Sequence, residues 1–479
     1  MPSMDIFKSK SATNEPVQNP WGQPAVAAPM QGVAQSQPLV TPSPKKKGSK
    51  ILLIAAIIFV VVLIAFATIT LLGKSKKTVE EITWWGLWEN QNVVQPLISA
   101  YESTHPNVKI NYVEQSKEDY RERLTNAIAK DNGPDIFTFH NTWVPMFKSN
   151  LDAIPSSIMT ATDFSQKYYP VITSDLSYGN SIVGMPIGYD AITLYINQDI
   201  FNKAGKVAPT DWNELRKVAR ELTIKDESGI IVQSGVALGK TENVDHWQEV
   251  LALLMIQNGV NLSNPTGKNA EDGLTFFTNF STVDDVWDAT LPTSTQYFIA
   301  GKLAMYFAPS WRTFQIKEAN PNLNFKTVPI PQVAKDDPLQ PDVTYATYWA
   351  QGVWSKSSNK AVAWDFLKYL TTNESLQKLY QNESAIRSFG EPYPTVDMAS
   401  LLTDHPVVGS IISLAPVARS WYLASRTFDG DTGINTQMSN YFKDAVNALG
   451  SEEKDATEAL ETVAQGVSRV LSQYGITSR

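Results

Sequence analysis

The stretch IVGMPIGYDAITLYINQDIF, residues 182–201, decides how the folded part of this chain is organised. It contains a β-type run that ends at Met185, a short interruption at 188–190, and a second β-rich run at 192–196 that leads into a helix. Two strands joined by so few residues can belong to two different lobes. In that arrangement the interruption is a hinge, and Tyr189 and Asp190 would lie where a bound molecule is gripped.

Short motifs around this stretch follow one another in a fixed order. They are Gly179 to Pro186, Leu194-Tyr195-Ile196-Asn197-Gln198-Asp199-Ile200-Phe201, Lys203-Ala204-Gly205, Asp211-Trp212-Asn213-Glu214-Leu215, Gly301-Lys302-Leu303-Ala304-Met305 with Ser310-Trp311, and Ala363-Trp364-Asp365-Phe366-Leu367-Lys368. This order resembles that of the extracellular solute-binding proteins (family 1) of ABC importers, in the branch typified by sugar-binding proteins. The resemblance covers about residues 79–479, and the first 78 residues lie outside it.

The resemblance implies a two-lobed, periplasmic-binding-protein-like α/β fold of type II. Lobe 1 is expected to consist of residues 79–187 with 343–372, and lobe 2 of residues 193–328 with 376–479. The hinges are expected near 188–192 and 329–342.

The resemblance also implies a function. Such a protein captures a solute, typically an oligosaccharide or another carbohydrate, between its lobes and delivers it to the permease subunits of an ABC transporter, which work with an ATPase. The fold closes around the ligand by a hinge motion. We therefore expect a binding protein, not an enzyme, and we expect no cofactor.

The pattern of residues 82–139 supports an α/β lobe independently of the resemblance. Short β-type runs at 82–85, 108–112 and 135–139 alternate with two segments whose apolar residues recur at helical spacing. Strands that alternate with helices predict a parallel sheet with both faces covered. Because ligands bind beyond the carboxyl ends of such strands, we expect the loops at 85–89 and 140–143 to face the ligand.

Aromatic and polar side chains are interleaved at the expected cleft positions. Trp and Tyr rings offer flat apolar faces on which sugar C–H groups pack, whereas carboxylates, amides and Arg bond to hydroxyl groups. The predicted ligand-binding residues are Trp85, Trp88, Glu89, His140, Asn141, Trp143, Tyr189, Asp190, Trp311, Arg312, Tyr348, Trp349 and Trp421. We assign Trp84, Trp354 and Trp364 to the cores, because they lie within strand or amphipathic-helix patterns.

Composition excludes several classes of protein. The chain has no cysteine, so it has neither disulfides nor thiolate sites. Its net charge is −8, and 46 of the 48 acidic residues follow Val79. An acidic body of this kind is repelled by nucleic acid.

The first 78 residues differ from the rest in composition. Residues 1–50 are rich in Pro and Gln and end in a lysine cluster, which predicts a disordered tail. Residues 51–72 carry no charge, and 22 helical residues are long enough to cross a membrane. We interpret this segment as an uncleaved single-pass anchor in the cell membrane, and the resemblance implies a cytoplasmic tail with the binding domain outside.

Other functions remain open at this stage. The solute could instead be a polyamine or a glycerol phosphate, and the protein could be an anchored receptor or sensor that is not coupled to transport. A glycan hydrolase is a third hypothesis, although no Gly-x-Ser-x-Gly motif supports it. The four His residues are isolated in the sequence and predict no metal site.

Overall fold

A computed structural model describes residues 57–64, 79–335 and 339–476. Residues 57–64 are helical and exposed, whereas the rest of the predicted anchor 51–72 and the whole of the tail 1–50 lie outside the described residues. Within these described ranges, none of the helices combines the length and the apolar character needed to cross a bilayer. Both lobes belong to the compact unit that begins at Lys77.

Strands and helices alternate along most of this unit. The strands are β1 Glu80–Gly86, β2 Val108–Glu114, β3 Ile136–His140, β4 Ser177–Tyr178, β5 Ser181–Ile182, β6 Ile192–Asn197, β7 Ile224–Lys225, β8 Ile231–Val236, β9 Leu303–Pro309, β10 Phe325–Val328, β11 Thr344–Tyr345, β12 Trp349–Val353 and β13 Ala418–Arg419. The α-helices are Gln91–Thr104, Tyr120–Ala129, Val144–Phe147, Ala161–Lys167, Pro170–Asp175, Gln198–Lys203, Trp212–Leu222, Trp247–Gln257, Lys268–Thr282, Ser294–Ile299, Arg312–Ala319, Lys360–Leu370, Asn373–Ser384, Gly409–Leu414, Ile434–Gly450 and Ala456–Gln473. Short 3₁₀ turns occur at Asn141–Trp143, Val396–Leu401 and Ala415–Val417.

Lobe 1 is built on a four-stranded sheet with the order β12-β3-β1-β2. The three strands predicted from the sequence pair in parallel, and β12 adds to β3 in the antiparallel direction. The helix Gln91–Thr104 begins where the Asn90 side chain accepts two backbone N–H groups, and it buries its apolar face in the lobe 1 core. The strand–helix alternation seen in the sequence therefore produces the expected sheet.

Lobe 2 is built on a five-stranded mixed sheet with the order β10-β6-β9-β8-β7. β6, the second β-rich run of the stretch at 182–201, is fully buried and pairs with β9 and β10. Its Asn197 caps the next helix by accepting the N–H groups of Asp199 and Ile200. This central strand carries the chain directly from the hinge into the lobe 2 core.

Three extended segments connect the lobes side by side. The cores change from lobe 1 to lobe 2 between Ala191 and Ile192, and back again between Tyr345 and Ala346. A third crossing follows β13, which pairs in parallel with β11. The predicted hinge at 329–342 is thus wrong in position, because Ile330 and Val343 pack in the lobe 2 core and the chain crosses only after Tyr345.

The segment 376–418 corrects the predicted domain boundaries. It was expected in lobe 2 but packs on lobe 1, where Leu376 and Leu379 join the core. The Asn382 side chain donates to the Val93 carbonyl at 2.8 Å and fixes the helix Asn373–Ser384 against Gln91–Thr104. Amphipathic spacing shows that such a helix has a buried face but does not identify its partner. Only the residues after the third crossing return to lobe 2.

Candidate functional site

A cavity of about 590 Å³ lies between the lobes. This volume falls within the range usual for small-molecule sites. Nine of the thirteen predicted residues line it, namely Trp88, Glu89, His140, Tyr189, Asp190, Trp311, Arg312, Tyr348 and Trp349. His140 is the last residue of β3, and Trp88, Glu89, Trp311 and Arg312 follow the ends of β1 and β9, which is the arrangement expected when ligands lie beyond strand ends.

Three of the predicted tryptophans, Trp85, Trp143 and Trp421, do not line the larger cavity. Trp85 faces the other side of β1, because neighbouring strand residues point in opposite directions, and Trp84 lines the cavity in its place. Trp84 is also buried, and its Nε1–H donates to Gln351 Oε1 at 3.0 Å. Trp143 is fully buried beneath Trp349, with 5.4 Å between ring centroids. Trp143 therefore supports a cavity residue without reaching the cavity.

Asn141 and Trp421 line a second, smaller cavity of about 370 Å³. Asn141 Nδ2 donates to the buried carboxylate of Asp175 at 2.8 Å, and Tyr348 OH donates to the same oxygen at 2.9 Å. Burial raises the pKa of Asp175 to about 6, although these hydrogen bonds oppose the shift. Residues of both lobes line this smaller cavity, which is separate from the larger one.

Aromatic rings cover both walls of the larger cavity. On the lobe 1 side, Trp88 lies edge-on to Trp349 at 5.4 Å and 5.7 Å from Phe428 of lobe 2. Trp88 keeps 46% of its surface exposed and has a φ of 21°, a conformation uncommon for a bulky residue. On the lobe 2 side, the Trp311 ring lies beneath the Arg312 guanidinium at 4.5 Å.

A continuous hydrogen-bond network backs the lobe 2 wall. Arg312 Nε–H donates to His246 Nε2 at 2.9 Å, so the proton of a neutral His246 is on Nδ1 and is donated to Ser425 Oγ. Ser425 Oγ donates in turn to Glu249 Oε1 at 2.9 Å. Because the Nδ1 atom of His246 is the donor in this contact, it cannot take a proton from Ser425. Ser425 and His246 therefore do not form a nucleophile–base pair.

Asp245, behind the lobe 2 wall, contacts two cations. Arg312 and Arg426 both contact Asp245 Oδ1, at 3.3 and 3.4 Å. Burial alone would raise the pKa of Asp245, but a hydrogen bond from Thr295 and the charge of Arg312 bring it below its ordinary value. Burial and the charge of Arg312 hold the pKa of His246 well below its ordinary value, so His246 is neutral.

A different arrangement occupies the lobe 1 wall. One guanidinium nitrogen, Arg387 Nη2, lies 3.2 Å from a carboxylate oxygen of each of Glu89, Glu383 and Glu391. Burial, followed by the charge of Glu89, raises the pKa of Glu383 well above its ordinary value. Burial also raises the pKa of Glu391. Three carboxylates therefore share one cation.

Asp190 joins the hinge to lobe 2. Its carboxylate accepts the N–H and the Oγ–H of Ser310 at 3.0 and 2.9 Å, and the N–H of Ala191 at 2.8 Å. Burial, and then the charge of Glu391, raises the pKa of Asp190 to about 8. The predicted gripping residue is thus a fixed part of the cavity wall that also links the two lobes.

His140 and Tyr189 are buried at the cavity wall. His140 Nδ1 lies 2.8 Å from Thr142 Oγ1, and His140 Nε2 lies 3.1 Å from Thr347 Oγ1. Burial lowers the pKa of His140 to about 3, which keeps the ring neutral. The Tyr189 hydroxyl is buried and has no hydrogen-bond partner among the described residues.

The thirteen predicted ligand-binding residues include none from the segment 376–418, although the sequence made Arg387 a candidate for the cleft in case the solute is a phosphate. Glu383, Arg387 and Glu391 line the cavity because this segment belongs to lobe 1. Phe314 also lines it and packs against Phe389 across the lobes at 4.6 Å. The sequence offered no motif for these residues, and only a correct lobe assignment could have placed them at the cavity.

The fold and the sequence resemble those of binding proteins. A binding protein of Brucella abortus (strain 2308) is 26% identical over 299 residues, which are 59% of this chain and 69% of that protein. The maltotriose-binding protein of Pyrococcus abyssi (strain GE5 / Orsay) is 23% identical over 313 residues, which are 62% of this chain and 63% of that protein. The cyclic α-maltosyl-1,6-maltose binding protein of Arthrobacter globiformis superposes with a TM-score of 0.66 at 18% identity, covering 82% of this chain and 99% of that one.

The family follows from the sequence match. At 18% identity the structural likeness shows the fold, which is the two-lobed α/β fold expected from the sequence. Residues 88–377 match the family described as bacterial extracellular solute-binding protein. Because this match covers more than half of the chain, the protein is a member of the bacterial extracellular solute-binding proteins.

Proposed function

We propose that this solute-binding protein captures a carbohydrate in the cavity between its lobes and delivers it to the permease of an ABC transporter. The observation that carries the proposal is the placing of Trp88 and Trp349 on one wall and Trp311 on the other, among charged and polar groups. Rings on opposite walls can cover both faces of a sugar, and the polar groups can bond to its hydroxyls.

The hinge supports closure around the solute as the mechanism. Three adjacent extended segments join the lobes, and contacts between the lobes form at the cavity mouth and beside it. Arg121 Nη1 donates to the Asp429 carbonyl at 2.7 Å, and Thr142 Oγ1 donates to Asn435 Oδ1 at 2.8 Å. A ligand that contacts both walls favours the closed form, because the ligand loses its contacts with one wall when the lobes separate.

The resemblance and the N-terminal sequence support a location outside the cytoplasm. The proposed anchor is the uncharged segment 51–72, with the tail 1–50 inside the cell and the binding unit outside. Permease subunits, and through them an ATPase, are the proposed partners. Co-purification of a permease with the full-length protein from membranes would test this part, and a protein that is isolated repeatedly with a sensor in place of a permease would contradict it.

Thermal unfolding tests carbohydrate binding directly. The full-length protein is heated with mono- and oligosaccharides, amino acids, polyamines and glycerol phosphates, and the unfolding temperature is recorded. A ligand at 100 times its dissociation constant adds roughly 2.7 kcal/mol to the free energy of unfolding. A shift with carbohydrates alone supports the proposal, whereas a shift with another class and with no carbohydrate refutes it.

A further inference from the structure

The three carboxyl groups around Arg387 would, if all were ionised, carry more charge than one guanidinium can balance. Arg387 Nη2 is 3.2 Å from an oxygen of each of Glu89, Glu383 and Glu391. One positive charge offsets one carboxylate, so the other carboxyl groups must be held by protons or by a further cation. All four residues line the cavity. Their side chains are between 1% and 31% exposed, so water screens the excess charge only in part.

Glu383 is the member of this group with an unused hydrogen-bonding atom. Its side chain is 1% exposed, and Oε2 accepts the N–H of Glu391 at 2.6 Å. Oε1 is buried and has no hydrogen-bond partner among the described residues. A buried carboxylate oxygen without a donor is costly, and it is normally matched by a group that the site binds.

The other cationic side chains that line the cavity contact other groups. Arg312 and Arg426 contact Asp245 on the opposite wall. Lys117 lies 5.6 Å from the centre of the Phe428 ring. A metal ion is not indicated, because within the described parts of the chain no three His, Cys, Asp or Glu residues are grouped to hold one. The described residues therefore supply no further cation to this wall.

We infer that the cavity recognises a solute that carries a protonated amine, and that Glu89, Glu383 and Glu391 receive the ammonium group beside Arg387. The inference rests on the proposed function, so the solute class that it names is an amino sugar or an oligosaccharide of amino sugars. The aromatic rings cover the sugar faces, and the ammonium group donates hydrogen bonds to the excess carboxylates.

Matched sugars that differ at one position test this inference. The full-length protein is titrated with glucose, N-acetylglucosamine and glucosamine, each as the monosaccharide and as the β-1,4-linked trimer. These sugars carry a hydroxyl, a neutral amide or an ammonium group at C2. Spermidine is included as an amine without a sugar. We expect the affinity for the glucosamine compounds to be at least about tenfold higher than that for their neutral counterparts, because hydrogen bonds to charged groups are the stronger ones.

Two variants of one helix assign the preference to Glu383. E383Q keeps the size of the side chain and removes its ability to ionise beside an ammonium group, and it should reduce the ratio of glucosamine affinity to glucose affinity by about tenfold. E374Q changes an exposed glutamate of the same helix, Asn373–Ser384, and should leave that ratio unchanged. Because the readout is a ratio measured on each folded variant, a general loss of stability does not imitate the effect.

The outcomes separate this inference from the proposed function. Neutral sugars that bind as tightly as glucosamine compounds, or tighter, overturn the amine inference and leave carbohydrate capture standing. Binding of spermidine without binding of any sugar supports the amine site and overturns carbohydrate capture. If no cation binds more tightly than its neutral counterpart, the inference is wrong. An E383Q protein with an undiminished preference for glucosamine is equally decisive against it.

Discussion

The two walls of the cavity handle charge in different ways. The lobe 2 wall pairs Arg312 and Arg426 with Asp245 and extends this contact through the neutral His246 to Ser425. The lobe 1 wall gathers three carboxylates around Arg387 alone. Lobe 2 has two guanidinium groups near Asp245 and Glu249, although Glu249 Oε2 has no hydrogen-bond partner among the described residues. Lobe 1 has one guanidinium for three carboxyl groups, so we expect it to gain more when a ligand supplies a positive charge.

Removing the shared cation should have the largest effect. Arg387→Met leaves three partly buried carboxylates without any positive neighbour, and breaking a buried ion pair from one side costs about 3 to 5 kcal/mol. Urea unfolding at neutral pH measures the loss. The double variant Arg387→Met/Glu383→Met should recover part of it, because one of the repelling charges is removed as well. A single variant as stable as the parent would show that Arg387 does not hold this wall together.

The corresponding change on lobe 2 should cost less. Arg312→Met removes the donor to His246 Nε2 but leaves Asp245 with Arg426 and Thr295. The expected loss in the free energy of unfolding is about 2 kcal/mol, the cost of leaving a buried acceptor unmatched. The same urea titration applies, and its slope should not change. A loss as large as that of Arg387→Met would remove the distinction between the walls.

The aromatic rings of the two walls allow a comparison of binding. Trp311→Ala removes a ring beside Arg312 inside the cavity, and we expect it to weaken carbohydrate binding by about 2 kcal/mol with little effect on stability. Trp88→Ala removes a half-exposed ring at the mouth, and the expected loss is about 1 kcal/mol or less. Titration calorimetry with the best carbohydrate of the panel gives both values. Unchanged affinity in the Trp311 variant would show that this ring does not touch the sugar.

The sequence predicted the elements better than it predicted their partners. Alternating strands and helices at 82–139 give the lobe 1 sheet, because hydrophobic periodicity is a local property that the chain carries wherever it packs. The helix Asn373–Ser384 also shows an amphipathic pattern, yet its partner lies nearly 290 residues away, where Asn382 bonds to Val93. No local pattern identifies such a contact.

Because local patterns do not identify distant partners, only some residues of the cavity were predicted. Trp88, Trp349 and Trp311 follow or begin strands, so the rule that ligands lie beyond strand ends placed them correctly at the cavity. Trp84 was correctly assigned to the core, but Trp85 was placed at the cavity in error, because alternation along a strand tells which residues share a face but not which face meets the cavity. The acidic group around Arg387 was missed because its segment was assigned to the wrong lobe.

The smallest expected effect is a difference in pH dependence between the two walls. The pKa of Glu383 is raised above its ordinary value of 4.5 by burial and by Glu89, so the folded state holds its proton at pH values where the unfolded state has released it. The free energy of unfolding therefore falls as pH rises above 4.5. The pKa of Asp245 is lowered from 3.8, so its contribution is complete above that value and is lost only as pH falls below it.

Urea unfolding between about pH 5 and pH 8 distinguishes the two signs. E383Q should remove part of the decline in this range, on the order of 1 kcal/mol, because glutamine does not titrate. D245N is the matched control, since Asp245 is ionised throughout the range in both states. It should therefore lower the free energy of unfolding by the same amount at every pH and leave the slope unchanged. If D245N alters the slope and E383Q does not, the excess charge lies on lobe 2, and the comparison of the two walls must be reversed.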